Sequence, residues 1–220
     1  MARLKHHQIL LTTHSDAILE ALPSQSRLYL SRTSSGVRPI PGLTAQQAKS
    51  LMAQGNVKAL HILVDDQCAS VLLAEIIRRT DPEFLRTVGI YPVGGANQIA
   101  TTVRTIKDTG LPVAAVRDAD QPATPHDNIF KLPGTLPPEK ELLSNPAVQA
   151  FFDSQYGLNL ADFLAGIAGV DHHEWFGRLA ERLSQSESAL IAESARLYVG
   201  SIPENERSSL VAALKESVRR

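Results

Sequence analysis

The sequence predicts an α/β fold in which helices flank a mostly parallel sheet, followed by a helical C-terminal subdomain. Between residues 57 and 132, short apolar runs alternate with amphipathic helical patterns, and few residues separate them. Repetition of strand, helix and strand with short connections is typical of parallel sheets with right-handed crossovers. After the proline-rich stretch 132–138 the pattern is almost wholly helical, so we expect the sheet to end there.

The composition is typical of a globular protein. The chain has 220 residues, 43% of them hydrophobic and 20% charged, enough for one sizeable domain with a smaller partner. No run approaches the roughly 18 apolar residues needed to cross a bilayer, so we expect no membrane partner. A single cysteine indicates a reducing, cytoplasmic setting. The net charge of −1 argues against a broadly basic nucleic-acid surface, but it allows contact with phosphates through metal ions.

The first 56 residues predict a separate segment with short elements. They are a strand at Gln8–Thr13, a helix at Ala17–Leu22 capped by Ser15 or Asp16, a strand at Arg27–Ser31, a turn at Thr33–Gly36, and a helix at Thr44–Met52 that ends near Gly55. The assignment follows from β-branched runs for strands and helical apolar spacing for helices.

The regular alternation occupies residues 57–142, and helices occupy residues 143–220. The first part predicts a strand at Ala59–Val64, a helix with the apolar stripe Ala69, Leu72, Leu73, Ile76 and Ile77, a strand at Thr87–Val93, a helix at Ala96–Lys107, and strands at Val113–Val116 and Asn128–Leu132. The predicted helices beyond it are Glu139–Leu143, Ala147–Phe152, Leu160–Ile167, His173–Ser184, Ser188–Leu197 and Glu204–Arg219. We treat the three ranges as three parts of the chain.

Two adjacent carboxylates, Asp65 and Asp66, follow the first strand of the alternation. In an open parallel sheet, ligands bind beyond the carboxyl ends of the strands. Adjacent carboxylates repel each other by about a kcal/mol or more unless a cation or hydrogen-bond donors compensate. The pair therefore indicates a metal site, although Asp66 could equally be the N-cap of the next helix, with Asp65 merely exposed.

A second acidic pair, Asp118 and Asp120, follows the third strand. Residues two apart in an extended segment face the same side, so both carboxylates can reach one ion. Aspartate is also common in turns, which is the simpler interpretation. Because both pairs fall at carboxyl ends of strands in one predicted sheet, we favour an oxygen-rich site for Mg²⁺ or Mn²⁺.

A charged helix start follows Pro137 and Pro138 and supplies further candidates. Glu139 or Glu141 could complete a metal shell, and Lys140 could stabilise phosphoryl charge or help to deprotonate water. Glutamates in a first helical turn also stabilise the helix dipole without any ligand, by roughly 0.3–1 kcal/mol each.

Two further motifs bear on ligand binding. Gly94 and Gly95, between a strand and a helix, permit close backbone approach of a phosphate to the helix N-terminus. The run His172-His173-Glu174 lacks the i, i+4 spacing of a zinc-binding helix, so we interpret it as a helix start.

The order of these motifs resembles a Toprim domain, the metal-binding module of topoisomerases, bacterial primases and the OLD (overcoming lysogenization defect) family of nucleases. Asp65 stands where that pattern has glutamate, Asp66 stands where many members have glycine, and Asp118 and Asp120 match its Asp-x-Asp. The stretches 63–69 and 132–141 look most like the second class of OLD nucleases. This resemblance implies a Toprim-like, Rossmann-like sheet.

The N-terminal stretch Gln8–Ser15 looks like the switch-histidine strand that closes an ABC-type ATPase domain, with His14 in the histidine position. In the OLD family such an ATPase precedes the Toprim module. The sequence contains no G-x-x-x-x-G-K-[ST] phosphate loop. We therefore expect a C-terminal piece of a longer protein, with the ATPase domain as a partner, ATP bound only in that missing part, and a homodimer as a further option.

The resemblance implies an endonuclease that cleaves DNA with two Mg²⁺ or Mn²⁺ ions and acts in phage defence. The ligands would divide as Asp65 and Asp66 at one ion and Asp118 and Asp120 at the other. Glu139 or Glu141 would bridge the ions or complete a shell. Lys140, Asp118 and Asp120 would be the catalytic residues, and Gly94 and Gly95 would contact phosphate.

Two alternatives remain open at this point. A two-component receiver domain has comparable acidic residues, but only about a dozen residues separate Asp118 from Lys131, too few for the helix, strand and helix that a receiver requires there. A non-catalytic module that binds DNA or assembles an ATPase would fit the same residues.

Overall fold

The computed structural model describes residues 9–33, 36–53 and 57–218. The chain divides into two units, Met1–Ala59 and Leu60–Arg220. The first predicted boundary, after residue 56, lies close to this division. The division predicted after residue 142 stays a prediction.

The first unit contains two short helices and an antiparallel hairpin. Its elements are α1 (Asp16–Ala21), a 3₁₀ turn (Ser24–Ser26), β1 (Leu28–Thr33), β2 (Gly36–Pro41) and α2 (Ala45–Met52). The start of α2 is a capping box, in which the Thr44 side chain accepts from the Gln47 N–H and the Gln47 side chain accepts from the Thr44 N–H. This pair satisfies two backbone donors of the helix.

The strand predicted at Gln8–Thr13 is wrong for its described residues, because residues 9–15 adopt neither strand nor helix. A strand needs a partner to take up its backbone hydrogen bonds, and no described residue pairs with this stretch. His14 is exposed. Gln8 and the helix end predicted at Gly55 lie outside the described residues.

The second unit is built on a four-stranded sheet in the order β4-β3-β5-β6. Its strands are β3 (Leu60–Val64), β4 (Val88–Pro92), β5 (Val113–Arg117) and β6 (Ile129–Lys131). All three neighbouring pairs are parallel. The predicted parallel sheet is therefore confirmed.

Helices cover both faces of this sheet. The helices described in this unit are α3 (Gln67–Thr80), α4 (Pro82–Thr87), α5 (Ala96–Asp108), α6 (Pro138–Ser144), α7 (Pro146–Tyr156), α8 (Leu160–Gly166), α9 (Trp175–Leu183), α10 (Glu187–Ser201) and α11 (Glu204–Ser217). Successive side chains of β3 pack on opposite faces of the sheet, as expected for a strand that is buried on both faces. Ile62 and Val64 pack with the stripe of α3 and the C-terminal helices, while Leu63 packs with Ile99 and Val103 of α5.

The layers leave the carboxyl ends of β3 and β5 side by side at one edge of the sheet, because Val64 pairs with Val116.

None of the helices in the described part of the chain has the length and apolar character needed to cross a membrane.

Candidate metal centre

The loops after β3 and β5 are joined directly. Asp65 follows the last residue of β3 and Asp118 follows the last residue of β5. A carboxylate oxygen of Asp65, Oδ2, accepts a hydrogen bond from the Asp118 backbone N–H at 3.3 Å. The two loops therefore converge as the sequence predicted.

The predicted site residues, except Lys140 and Glu141, line one cavity of about 480 Å³. Its acidic lining comprises Asp65, Asp66, Asp118, Asp120, Glu139 and Glu187, and its other lining residues include Gly94, Gly95, His172 and His173. This concentration of carboxyl groups opposes their simultaneous ionisation.

Asp118 is buried, and its Oδ1 atom has no hydrogen-bond partner in the described structure. Burial, together with the negative charges of Asp65 and Asp66, raises the pKa of Asp118 to about 8. The pKa of Asp65 is also raised, chiefly by burial, against the opposing effect of the hydrogen bond from Asp118. A buried carboxylate without a donor is costly unless a proton or a cation neutralises it.

Asp66 caps the following helix, as one of the two predictions for this residue stated, and it also lines the cavity. Its Oδ1 accepts a hydrogen bond from the Ala69 N–H at 2.8 Å, which makes it the N-cap of α3. Its other oxygen, Oδ2, lies 3.3 Å from Nδ1 of His173. One carboxylate thus caps the helix and borders the acidic cluster.

Glu139 enters the cavity from the first turn of α6. Pro138 precedes it at a position where the missing N–H of proline costs no helical hydrogen bond. The side chain is 3% exposed, with Oε1 3.3 Å from Nδ1 of His173 and Oε2 without a partner. Burial and the charge of Asp66 raise the pKa of Glu139.

Glu141 is engaged elsewhere, so the structure favours Glu139 over Glu141 as the ligand from α6. The Oε1 atom of Glu141 accepts hydrogen bonds from the N–H groups of Thr135 and Leu136 at 2.6 and 2.9 Å. The Tyr198 hydroxyl donates to Oε2 at 3.3 Å. Glu141 therefore holds the loop before α6.

Lys140 is likewise not among the residues that line the cavity. Its Nζ atom lies 6.0 Å from the centroid of the Trp175 ring, at the limit of a cation–π contact. The catalytic role assigned to Lys140 stays a prediction.

Among the cavity residues that sequence reasoning missed are the histidines at positions 172 and 173. They form a 3₁₀ turn, His172–Glu174, directly before α9, so the predicted helix start is accurate but incomplete. Burial lowers the pKa of His173, but the carboxylates of Glu139 and Asp66 outweigh that effect and the pKa is raised. Only the adjacency of two histidines after Asp171 marks them in the sequence.

The glycine pair adopts the backbone that the sequence suggested. Gly94 and Gly95 have φ values of +78° and +36°, in the region that favours glycine. The Gly94 N–H donates to the Asp65 carbonyl oxygen at 2.9 Å, and α5 begins after Gly95. Their contact with a phosphate stays a prediction.

These residues fit a hard divalent cation. Mg²⁺ and Mn²⁺ prefer carboxylate oxygens, and two buried oxygens, Asp118 Oδ1 and Glu139 Oε2, have no other partner in the described structure. Glu139, His172 and His173 also form a cluster with metal-ligand spacing.

No protein-family model and no curated protein matches the chain. Among solved structures it is similar to the C-terminal region of the OLD protein of Xanthomonas campestris pv. campestris. The two chains share 16% identity with a TM-score of 0.44, over 74% of this chain and 95% of the other. This neighbour bears the name of the family whose motifs the sequence resembles.

Proposed function

We propose that the chain is a divalent-metal-dependent DNA endonuclease. The observation that carries the proposal is the convergence of Asp65, Asp118 and Glu139 in one cavity, with Asp118 Oδ1 and Glu139 Oε2 buried and unpartnered. Such a cluster is unfavourable unless positive charge enters it. Divalent cations held by carboxylates are a common means of phosphodiester hydrolysis.

Asp65, Asp118, Asp120 and Glu139 would hold the ions, of which the sequence resemblance implies two. A bound ion at such a site lowers the pKa of a water molecule and stabilises negative charge on phosphoryl oxygens. Asp66 would fix the geometry, because it caps α3 and borders the cavity at the same time.

The glycine pair at the start of α5 would help to position the substrate. Gly94 and Gly95 lie on the cavity wall at the start of α5, where backbone N–H groups and the helix dipole favour an anion. DNA as the substrate follows from the sequence resemblance to Toprim nucleases. An ATPase domain of the same protein, a homodimer and a cytoplasmic location belong to the proposal on the same basis.

The receiver alternative is disfavoured by the connection between β5 and β6. Residues 118–128 contain a 3₁₀ turn at Pro125–Asp127 and no α-helix, whereas a receiver needs a helix, a strand and a further helix there. Lys131, the candidate receiver lysine, donates instead to the Ala119 carbonyl oxygen at 3.0 Å.

Cleavage of supercoiled plasmid tests the proposal. The wild-type protein should produce nicked or linear DNA with Mg²⁺ or Mn²⁺, and none with EDTA. Asp118→Asn should reduce the rate by about two orders of magnitude or more, as expected when a catalytic metal ligand is removed. Asp162→Asn is the matched control, because Asp162 is an exposed aspartate of α8 outside the cavity.

Equal cleavage by wild type and Asp118→Asn would contradict the proposal. Binding of the plasmid without cleavage at saturating Mn²⁺ would favour the non-catalytic DNA-binding or assembly module instead.

A further inference from the structure

One corner of the cavity differs chemically from the rest. There, ligand atoms of Glu139, His172 and His173 lie within 4.8 Å of one another. The corner brings together the first turn of α6 and the 3₁₀ turn before α9. It therefore combines two imidazoles with one carboxylate, whereas the strand ends contribute carboxylates alone.

The carboxylate of this corner is not satisfied by the protein. Glu139 is 3% exposed, and its Oε2 has no hydrogen-bond partner among the described residues. Buried polar atoms in folded proteins are nearly always partnered. An unpartnered oxygen in a cavity wall beside two imidazoles is suited to bind a cation.

The two rings are oriented by neighbouring carboxylates. Nδ1 of His172 lies 3.3 Å from Oδ1 of Asp171, which leaves Nε2 available. A carboxylate behind one ring nitrogen is the usual support of a metal-binding histidine, since it fixes the ring and raises the basicity of the other nitrogen.

His173 presents Nδ1 to two acceptors at once. This nitrogen is 3.3 Å from Oε1 of Glu139 and 3.3 Å from Oδ2 of Asp66. A single proton on Nδ1 cannot align well with both oxygens, whereas a metal ion accepts several ligands. The arrangement thus suits a cation shared by the imidazole and the carboxylates.

We propose that Glu139, His172 and His173 bind a first-row transition metal ion, of the Co²⁺ and Zn²⁺ class, in preference to Mg²⁺. Imidazole nitrogen is a good ligand for transition ions, whereas Mg²⁺ selects oxygen. The inference rests on the proposed function in one respect, because Glu139 belongs to both sets of ligands. The cavity would then discriminate between metals, with an all-oxygen part at the strand ends and a mixed part at this corner.

Co²⁺ is the probe of choice, used with protein free of any affinity tag. Proton NMR of the Co²⁺-loaded protein should show strongly shifted, exchangeable resonances from imidazole N–H groups, and a large excess of Mg²⁺ should not abolish them. In His172→Gln/His173→Gln these resonances should disappear, and the Co²⁺ dissociation constant from calorimetry should rise by about tenfold or more. Absence of Co²⁺ binding to wild type, or unchanged affinity and resonances in the double variant, would overturn the inference.

His126→Gln is the matched control and should retain wild-type resonances and affinity. His126 also lies beside an aspartate, with Nε2 3.1 Å from Asp127 Oδ2, but it is exposed and absent from the cavity wall. The single variants His172→Gln and His173→Gln serve if the double variant does not fold, and each should weaken Co²⁺ binding. Loss of binding by His126→Gln comparable to theirs would also overturn the inference.

Plasmid cleavage separates this inference from the proposed function. Shifted imidazole resonances in a protein that cuts no DNA with any metal would leave the inference standing and remove the nuclease. Mg²⁺-dependent cleavage without Co²⁺–imidazole resonances would do the reverse.

Discussion

A hydrogen bond of 3.3 Å joins Oδ2 of Asp65 to the backbone N–H of Asp118, across 53 positions of the chain. It ties together the two loops that follow neighbouring strands, and it holds two buried carboxylates in one cavity. Without a cation, this closeness opposes ionisation of both groups. The hydrogen bond therefore helps to form a metal site, while burial and repulsion between the two carboxylates destabilise the ionised, metal-free protein.

Substitution of Asp65 separates these two effects. Asp65→Asn keeps an oxygen acceptor for the Asp118 N–H and removes the charge, so we expect weaker Mg²⁺ binding with little loss of stability. Asp65→Ala also removes the acceptor. It should lower the free energy of unfolding by about 1–3 kcal/mol more than Asp65→Asn does, which is the cost of an unsatisfied buried donor. Calorimetric Mg²⁺ titration and urea unfolding measure the two quantities. Equal stability of both variants would contradict this account of the hydrogen bond.

The stability of the metal-free protein should fall as pH rises. Burial and the neighbouring carboxylates raise the pKa of Asp118 to about 8, from 3.8 for an unperturbed aspartate. The folded chain holds this proton more tightly than the unfolded chain. Protonated Asp118 therefore stabilises the fold fully below a pH of about 3.8, and this stabilisation is lost as the pH rises through about 8. In EDTA, the Tm should decrease over this window, and less steeply in Asp118→Asn. A Tm that is flat, or equally steep in both proteins, would refute the prediction; Asp162→Asn should behave as wild type.

Asp66 should contribute to stability as a helix cap. Its Oδ1 accepts from the Ala69 N–H, and loss of an N-cap typically costs about 1 kcal/mol. Asp66→Ala should lower the free energy of unfolding by about this amount in urea titrations, while Asp66→Asn should stay near wild type because asparagine caps helices as well. If the two variants were equally destabilised, the charge of Asp66 rather than its cap would be responsible.

The loop before α6 should depend on Gly134 and Glu141 together. Gly134 has a φ of +110°, and a Cβ atom there would lie 2.5 Å from Oε1 of Glu141. We expect Gly134→Ala to destabilise the protein by about 1–2 kcal/mol, the cost of a side chain in a left-handed conformation. Glu141→Ala should have a smaller effect, because water reaches the exposed N–H groups of Thr135 and Leu136.

A double-mutant cycle tests whether the two residues act as one unit. The decrease in unfolding free energy caused by Gly134→Ala/Glu141→Ala should be smaller than the sum of the decreases caused by the two single substitutions. The reason is that the clash between the new Cβ atom and the Glu141 side chain disappears with the glutamate. Additivity would show that the glycine acts through its backbone alone.

Much of the second unit was predictable because its information is local. Apolar runs such as Leu60–Val64 and the stripe of α3 carry the periodicity of their elements. A parallel sheet then brings the ends of β3 and β5 together without further information. The acidic cluster followed from these two facts.

The remaining features depend on contacts that no local pattern encodes. His173 meets Glu139 across 34 positions, through the packing of the 3₁₀ turn against α6. Glu139 and Glu141 are two residues apart on a helix and so point in different directions, and only packing decides which one faces the sheet. In the first unit, β2 was not predicted because it contains Pro39 and Pro41, and proline disfavours a strand. Residues 9–13 have strand-forming side chains, but no described strand pairs with them.

A crystal soaked in Mn²⁺ and measured at the manganese absorption edge tests the central claim most directly. The account predicts anomalous difference density in the cavity, within ligand distance of Asp118 and Glu139. A cavity without such density at saturating Mn²⁺, in crystals that show these carboxylates ordered, would contradict it.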